Sequence, residues 1–310
     1  MSGETKEPTT TTTATLEDGG DGGGEGGLII NTAPSLASRL NQRADLLRRI
    51  FSFHAKNPSL DYIDLRSSSK LFHKALPPPP LWTSFPHPTH TTLQSLLDRF
   101  EALYSKDKSK VLPKIYIEEG EHSGRTVHVN IPTTIIGAGR EKTILLFGLS
   151  IKGNKSDGIV EIENLKIKGA GGFGLYAEDG MKVITRGITI EDCQNKGVCA
   201  VYADISCDDL QVIGCGQSGV YASDNATITL SGQDTSIQGN GTNGDYIGEY
   251  GLKASVSANI HLVSPLTKEQ ISTNNGGSGN WGGYGTIKQV DNDGVVFQIL
   301  YEGEEGDYMY

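Results

Sequence analysis

The chain has 310 residues, only 36% of them hydrophobic, with 40 glycines and a formal net charge of −10. No apolar run approaches the roughly 18 residues of a membrane span, and the acidic balance disfavours a nucleic-acid phosphate backbone as partner. The four cysteines, Cys193, Cys199, Cys207 and Cys215, form no Cys-x-x-Cys pair and have no His cluster beside them, so no metal and no cofactor are expected.

Glycine and charge divide the chain into three zones. Residues 1–27 hold eight glycines and a net charge of −5, residues 28–110 hold none and +6, and residues 111–310 hold 32 and −11. Residues 1–27, Thr-rich and then Gly-rich, cannot bury apolar surface and read as a disordered tail. They lack the apolar stretch of a signal peptide, which predicts an intracellular protein, cytoplasmic or nuclear.

Residues 36–76 read as helices. Leu46, Leu47, Ile50, Phe51 and Phe53 make one apolar stripe at helical spacing, broken at Pro58. A second stretch, Leu60 to Leu76, ends at Pro77–Pro80, where four prolines forbid helix; Leu81-Trp82 then returns an apolar anchor. Thr92 can cap a further helix whose apolar residues Leu93, Leu96, Leu97, Phe100, Leu103 and Tyr104 share one face.

From Ile115 the period changes to two. Short alternating strands such as Ile115-Tyr-Ile117, Val127-His-Val129 and Ile144-Leu-Leu146 are separated by Gly, Asn and Asp, and no helix-length pattern follows. An internal repeat decides the architecture. Leu165-Lys-Ile167, Ile188-Thr-Ile190, Leu210-Gln-Val212 and Thr235-Ser-Ile237 recur at intervals of 23, 22 and 25 residues. A second set interleaves: Gly174-Leu-Tyr-Ala177, Val201-Tyr-Ala203, Gly219-Val-Tyr-Ala222 and Gly251-Leu-Lys-Ala254, at 26, 19 and 32. Such periods fit the coils of a β-solenoid and have no reason to occur in a sandwich. Three residues beyond each first-set motif stand Ala170, Cys193, Cys215 and Asn240, so Cys193 should stack over Cys215. That spacing permits a disulfide, while a reducing compartment favours two thiols filling a small-residue ladder.

Two family resemblances follow from these residues. Ile115-Tyr-Ile-Glu-Glu-Gly120, Thr134-Ile-Ile-Gly137-Ala-Gly139 and Thr143-Ile144-Leu145 resemble the opening of pectin-lyase-like β-helix proteins, and with the later repeats the resemblance covers roughly residues 90–295. It implies a right-handed parallel β-helix whose N-terminal end is plugged by an amphipathic helix, here 91–105. Leu46-Leu47-Arg-Arg-Ile50-Phe51, Ser69-Lys70-Leu-Phe72 and Leu81-Trp82 follow the order and spacing of an F-box, although Gln42-Arg43 stand where that family has Leu-Pro, and Ser68 replaces a Val. This second resemblance implies docking on a Skp-type adaptor of cullin ubiquitin ligases through Leu46, Leu47, Ile50, Phe51, Lys70 and Trp82. The basic zone 28–110 suits an acidic adaptor.

Catalysis on sugars would need converging carboxylates, or a carboxylate cluster with an Arg base. Asp208-Asp209 is the only Asp pair on the rungs, and Arg186 is the only arginine after Arg140. Neither completes a constellation, so no catalytic residue is assigned. Tyr176, Tyr202 and Tyr221 are the ligand-binding candidates: as one outward row they could hold a peptide or a sugar ring, or could simply stack to stabilise neighbouring rungs. Trp281, in the Gly-rich stretch 274–285, reads as an end cap or a ligand contact.

The sequence therefore predicts a mainly β protein: an F-box-like helical segment at 36–87, a capping helix at 91–105, a right-handed parallel β-helix solenoid over 110–298 and an acidic tail at 299–310. The function it points to is a non-enzymatic substrate receptor whose β-helix face binds an unknown protein. The alternatives are a carbohydrate-active enzyme and a structural repeat protein with a helical cap.

Overall fold

The computed structural model describes residues 82–108, 112, 114–243 and 248–303. Within them the chain winds as a parallel β-solenoid of about seven turns, each coil giving one strand to each of three sheets. The first sheet has ten strands: β1 (Trp82–Phe85), β2 (Lys114–Ile117), β5 (Thr133–Gly137), β8 (Ile159–Glu163), β11 (Lys182–Arg186), β14 (Asp204–Asp208), β17 (Thr227–Ser231), β20 (Asn259–Val263), β23 (Thr286–Val290) and β24 (Val296–Glu302). The second has seven: β3 (Gly120–His122), β6 (Thr143–Leu145), β9 (Lys166–Lys168), β12 (Thr189–Glu191), β15 (Gln211–Ile213), β18 (Ser236–Gln238) and β21 (Ser272–Thr273). The third also has seven: β4 (Val127–Val129), β7 (Leu149–Lys152), β10 (Leu175–Glu178), β13 (Val198–Val201), β16 (Val220–Ser223), β19 (Tyr250–Ala254) and β22 (Gly279–Gly283).

The period-two pattern explains the core. Alternate residues of each strand point inward and stack on their equivalents in the next coil. On the first sheet this makes the row Val160, Val183, Ile205, Ile228 and Ile260, all essentially inaccessible to solvent. On the second it makes Leu145, Ile167, Ile190, Val212 and Ile237, so the first repeat set is in register. On the third, Leu175, Val198, Val220 and Leu252 run beside Ala177, Ala200, Ala222 and Ala254.

The corners carry the special backbone. Asn164, Gly187 and Asp209 turn the chain from the first sheet to the second with φ of 54°, 59° and 52°. Gly169, Asp192, Gly214, Gly239 and Asn274 turn it from the second to the third with φ between 54° and 69°. Only Gly, Asn and Asp enter this left-handed region readily.

Next to that second corner the predicted ladder is present. Ala170, Cys193, Cys215, Asn240 and Asn275 each follow the left-handed residue of their coil. Asn240 is fully buried and fully used: its Oδ1 accepts from Cys215 N at 3.0 Å, and its Nδ2 donates to Val212 O at 3.2 Å and to Asn275 Oδ1 at 3.0 Å. Asn275 repeats the move one coil on, donating to Ile237 O at 3.0 Å. The ladder packs against Gly197 and Gly219, where a Cβ would sit 2.7 Å from Gly219 O and 2.7 Å from Asn240 Nδ2, respectively. Cys193 and Cys215 are free, buried thiols.

Helix α1 (Leu93–Tyr104) covers the N-terminal end. Thr92 caps it by accepting from Ser95 N at 3.1 Å, and Leu93, Leu96, Leu97 and Phe100 are buried against the core. Gln94 plugs the open edge of β4 as a strand would: its Oε1 accepts from His128 N at 2.6 Å and its Nε2 donates to His128 O at 3.2 Å.

Two boundaries differ from the sequence reading. Residues 82–85, placed above in the helical segment, form β1, parallel to β2; Trp-Thr-Ser-Phe is a strand-forming run released by the prolines before it. At the other end, the residues from 299 to Glu302 belong to β24, which folds back antiparallel on β23 and packs Leu300 and Tyr301 against the core. The short helix α2 (Lys268–Ile271), with a Thr267–Gln270 capping box, lies just before β21.

Replacing Gln94 with Ala exchanges its two bonds to the His128 backbone for water at the exposed sheet edge. Chemical denaturation should show a loss of no more than about 1 kcal/mol, because water can reach the exposed edge, with faster amide exchange at His128 and the α1 core contacts retained.

Candidate functional site

The tyrosine row is real at two positions of the three. Strand register sets Tyr176 opposite Cys199, Cys199 opposite Tyr221, and Tyr221 opposite Lys253. Tyr202 is not in that row, which corrects the second repeat set: the motif of its coil is Val198-Cys-Ala200, at intervals of 23 and 22 residues from its neighbours. The pattern Val201-Tyr-Ala203 matched by composition, but it straddles the end of β13 and the corner beyond it.

The two tyrosines in the row already have partners. Tyr176 stacks on Phe173 with ring centroids 5.0 Å apart, and burial, with the adjoining Glu178 carboxylate, pushes its hydroxyl up to about 12. The Lys196 and Lys253 ammonium groups stand 4.9 and 5.3 Å from the Tyr221 ring centre. Glu249, nearly buried, holds those lysines at 3.8 and 3.4 Å and accepts from the Ser218 amide at 3.0 Å and from its hydroxyl. In register between Tyr176 and Tyr221, burial raises the Cys199 thiol to about 12, which favours its neutral form. The rings of this face are thus packed among Phe173, Lys196 and Lys253.

The groups considered for catalysis are likewise taken. Arg186 lies directly above Glu163 in register and holds it at 2.6 Å, with Glu161 at 3.5 Å. Asp208 accepts from the Ser231 hydroxyl at 2.8 Å. Asp209 is a corner residue: its carboxylate accepts from Asp234 N at 3.0 Å and its carbonyl accepts from Arg140. Glu161, Glu163 and, opposite in the next coil, Asp208 flank the guanidinium on the outer face of the first sheet. Among the described residues no group of three His, Cys, Asp or Glu side chains could hold a metal ion, and no helix is long and apolar enough to cross a membrane.

Trp281 takes the inward row of the third sheet, opposite Leu252, and packs against the core with the Lys268 ammonium 4.2 Å from its ring centre. It closes the C-terminal end. Leu46, Leu47, Ile50, Phe51 and Lys70 lie outside the described residues. Trp82 begins β1 through its backbone.

Open surface is found instead at the third corner, where the third sheet returns to the first. A groove of about 670 Å³ is lined there by Glu101 of α1 and, on four successive coils, by Asn130, the stretch Lys152–Asn154, Asp179 and Tyr202. Tyr202 is 58% exposed with φ of 51°. Sequence reasoning named Tyr202 for the wrong row and missed its neighbours. The available signal was corner chemistry: where other coils turn with Asp179-Gly180 or Asp224-Asn225, this one turns on a lone tyrosine.

Compared with known protein families and with curated proteins, the chain matches none. The described residues define a class by fold alone, the parallel β-solenoids, which host enzymes and binding proteins alike.

If Arg186 is only a rung-to-rung tie, Arg186→Gln should lower stability by no more than about 1 kcal/mol in urea titration. Loss well beyond that would mean that the pair organises more than its own rungs.

Proposed function

We propose that the chain is a non-enzymatic recognition module, a substrate receptor in which the solenoid binds a protein and the segment ending at Trp82 tethers it to a Skp-type adaptor of a cullin ubiquitin ligase. The observation that carries the non-enzymatic half is the fate of the reactive groups: Arg186, Asp208 and Asp209 are each held by rung or corner partners, and the four thiols are buried. The tether rests on the F-box-like order Leu46-Leu47, Ile50-Phe51, Lys70 and Trp82, together with the basic balance of residues 28–110. In this reading the protein works inside the cell, in cytoplasm or nucleus. Its coils are right-handed, the hand that parallel crossovers take in nearly all sheets and that the pectin-lyase-like resemblance implies.

The test is a titration of the whole chain with a Skp-type adaptor. Saturable binding, weakened about tenfold or more by Leu47→Ala and by Ile50→Ala with the β-sheet circular dichroism unchanged, is the expected result. Both positions precede β1 in the sequence, whereas Trp82 is itself a β1 residue. A folded chain that fails to bind at adaptor concentrations of tens of micromolar contradicts the tether.

A further inference from the structure

Cys193 and Cys215 are the two cysteines that the coil repeat sets one above the other. Ile190 and Val212 pair in register, the left-handed residues Asp192 and Gly214 turn both coils alike, and Gly216 N donates to Cys193 O at 2.8 Å. Their α-carbons therefore stand one rung apart, about 4.8 Å, inside the range of about 4.4–6.8 Å that a disulfide spans. The other two cysteines are set differently: Cys199 stands between Tyr176 and Tyr221, and Cys207 between Thr185 and Leu230.

Each thiol is loosely held. Cys193 donates a long bond to Glu191 O at 3.7 Å, and Cys215 one to Ile213 O at 4.0 Å. Each sulfur also faces a glycine: a Cβ at Gly174 would lie 3.2 Å from Cys193 Sγ, and one at Gly197 3.3 Å from Cys215 Sγ. A side chain there would wedge the sulfurs in place, whereas glycine leaves room for one to turn toward the other. The pair is asymmetric. Hydrogen bonding from Cys215 holds the Cys193 thiol below its ordinary value, and the same contact pushes the Cys215 thiol up. Cys193 is also the nearer to water, flanked by the exposed Asp192 and Gln194, while Cys215 precedes the buried Gly216. Cys193 is thus the thiol that ionises and reacts first.

We propose that Cys193 and Cys215 form a peroxide-sensitive dithiol, which hydrogen peroxide closes into a disulfide joining consecutive coils. The Cys193 thiolate attacks the peroxide, breaks its O–O bond, releases hydroxide and is left as a sulfenic acid. The Cys215 sulfur then attacks the Cys193 sulfur; the S–O bond breaks, and the hydroxide leaves with the Cys215 proton as water. The first hydroxide takes up the proton that Cys193 gave, so two thiols and one peroxide give one disulfide and two waters. Peroxide, little larger than water, suits a thiol one residue below the surface. The bridge ties residue 193 to residue 215 across one coil and stabilises the solenoid by restricting its unfolded chain. The inference is independent of the adaptor tether and of what the solenoid binds.

The test treats the folded full chain with about millimolar hydrogen peroxide, then unfolds it in guanidinium with iodoacetamide and digests it without reduction. Cleavage after Lys and Arg and before Asp separates the four cysteines, because Lys196, Asp204 and Asp208 lie between them. The expected result is a single linked pair of peptides, Cys193 to Cys215, with a loss of about 2 Da that dithiothreitol reverses, while Cys199 and Cys207 are alkylated as thiols. Oxidation should also raise Tm by about 5 °C or more. Neither change appears in Cys193→Ala or Cys215→Ala, and both persist in Cys199→Ala. Alanine is the control because Ala170 fills the same ladder position one coil below Cys193, so both variants keep the fold. Absence of the link after peroxide, the same mixture of pairings in the folded chain as in a chain oxidised in guanidinium, links between chains, or a Tm unchanged or lowered by oxidation would each overturn the assignment.

Discussion

Each coil of a parallel solenoid has to bring its backbone back to about 4.8 Å from the coil before it, and here the second corner enforces that return. A single left-handed residue turns the chain from the second sheet toward the third, and the next side chain then packs in the core against its equivalents above and below. Over Cys193 and Cys215 that contact is a pair of small thiols; from Asn240 to Asn275 it becomes hydrogen bonded. Asn240 satisfies the Cys215 amide and the Val212 carbonyl of the coil below and meets Asn275 of the coil above. An amide in that position ties neighbouring coils together without adding a residue to either. A buried polar group with all its partners is tolerated, whereas one stripped of them costs about 1–3 kcal/mol. The arrangement therefore penalises any slip in register. The neighbouring glycines are bound by the same geometry, since a Cβ at Gly219 would collide with the Asn240 amide.

Once the coils are stacked, the outer faces are largely committed. Side chains on successive rungs stand at one rung spacing, close enough to pair, and many do: Arg186 with Glu163, Lys166 with Glu191, Tyr221 with Lys253. Such surface pairs contribute little individually, but they occupy the groups that a catalytic site would need. The corners are under weaker constraint. Their lengths vary, their side chains leave the ladder, and the groove beside Tyr202 forms where four of them meet the C-terminal half of α1.

The fold was legible because its constraints repeat. Ile167, Ile190, Val212 and Ile237 announce one wall of the core, Gly, Asn and Asp mark the corners, and the apolar offsets after Thr92 give the plug helix. The second repeat set misled at one coil, since Val201-Tyr-Ala203 imitates the true motif Val198-Cys-Ala200; the interval of 23 residues, rather than the tyrosine, was the better guide. The edge plug by Gln94 had no signal, because a glutamine on a helix face becomes a strand mimic only when β4 lies beside it. The groove was unreadable for the same reason: Glu101, Asn130, Asp179 and Tyr202 are spread over a hundred residues and share nothing but a corner. Strand β24 was hidden by the acidic residues that follow it, which drew attention away from Val296 to Tyr301.

The central claim, that the second-corner amide ladder holds the coils in register, is tested most directly by native-state hydrogen exchange on Asn240→Leu. The account predicts that protection falls at the Cys215 amide and in β15 and β18, on either side of the lost amide, while β8, β9 and β10 keep theirs. Unchanged protection around Cys215, or an even loss along the whole solenoid, would contradict it.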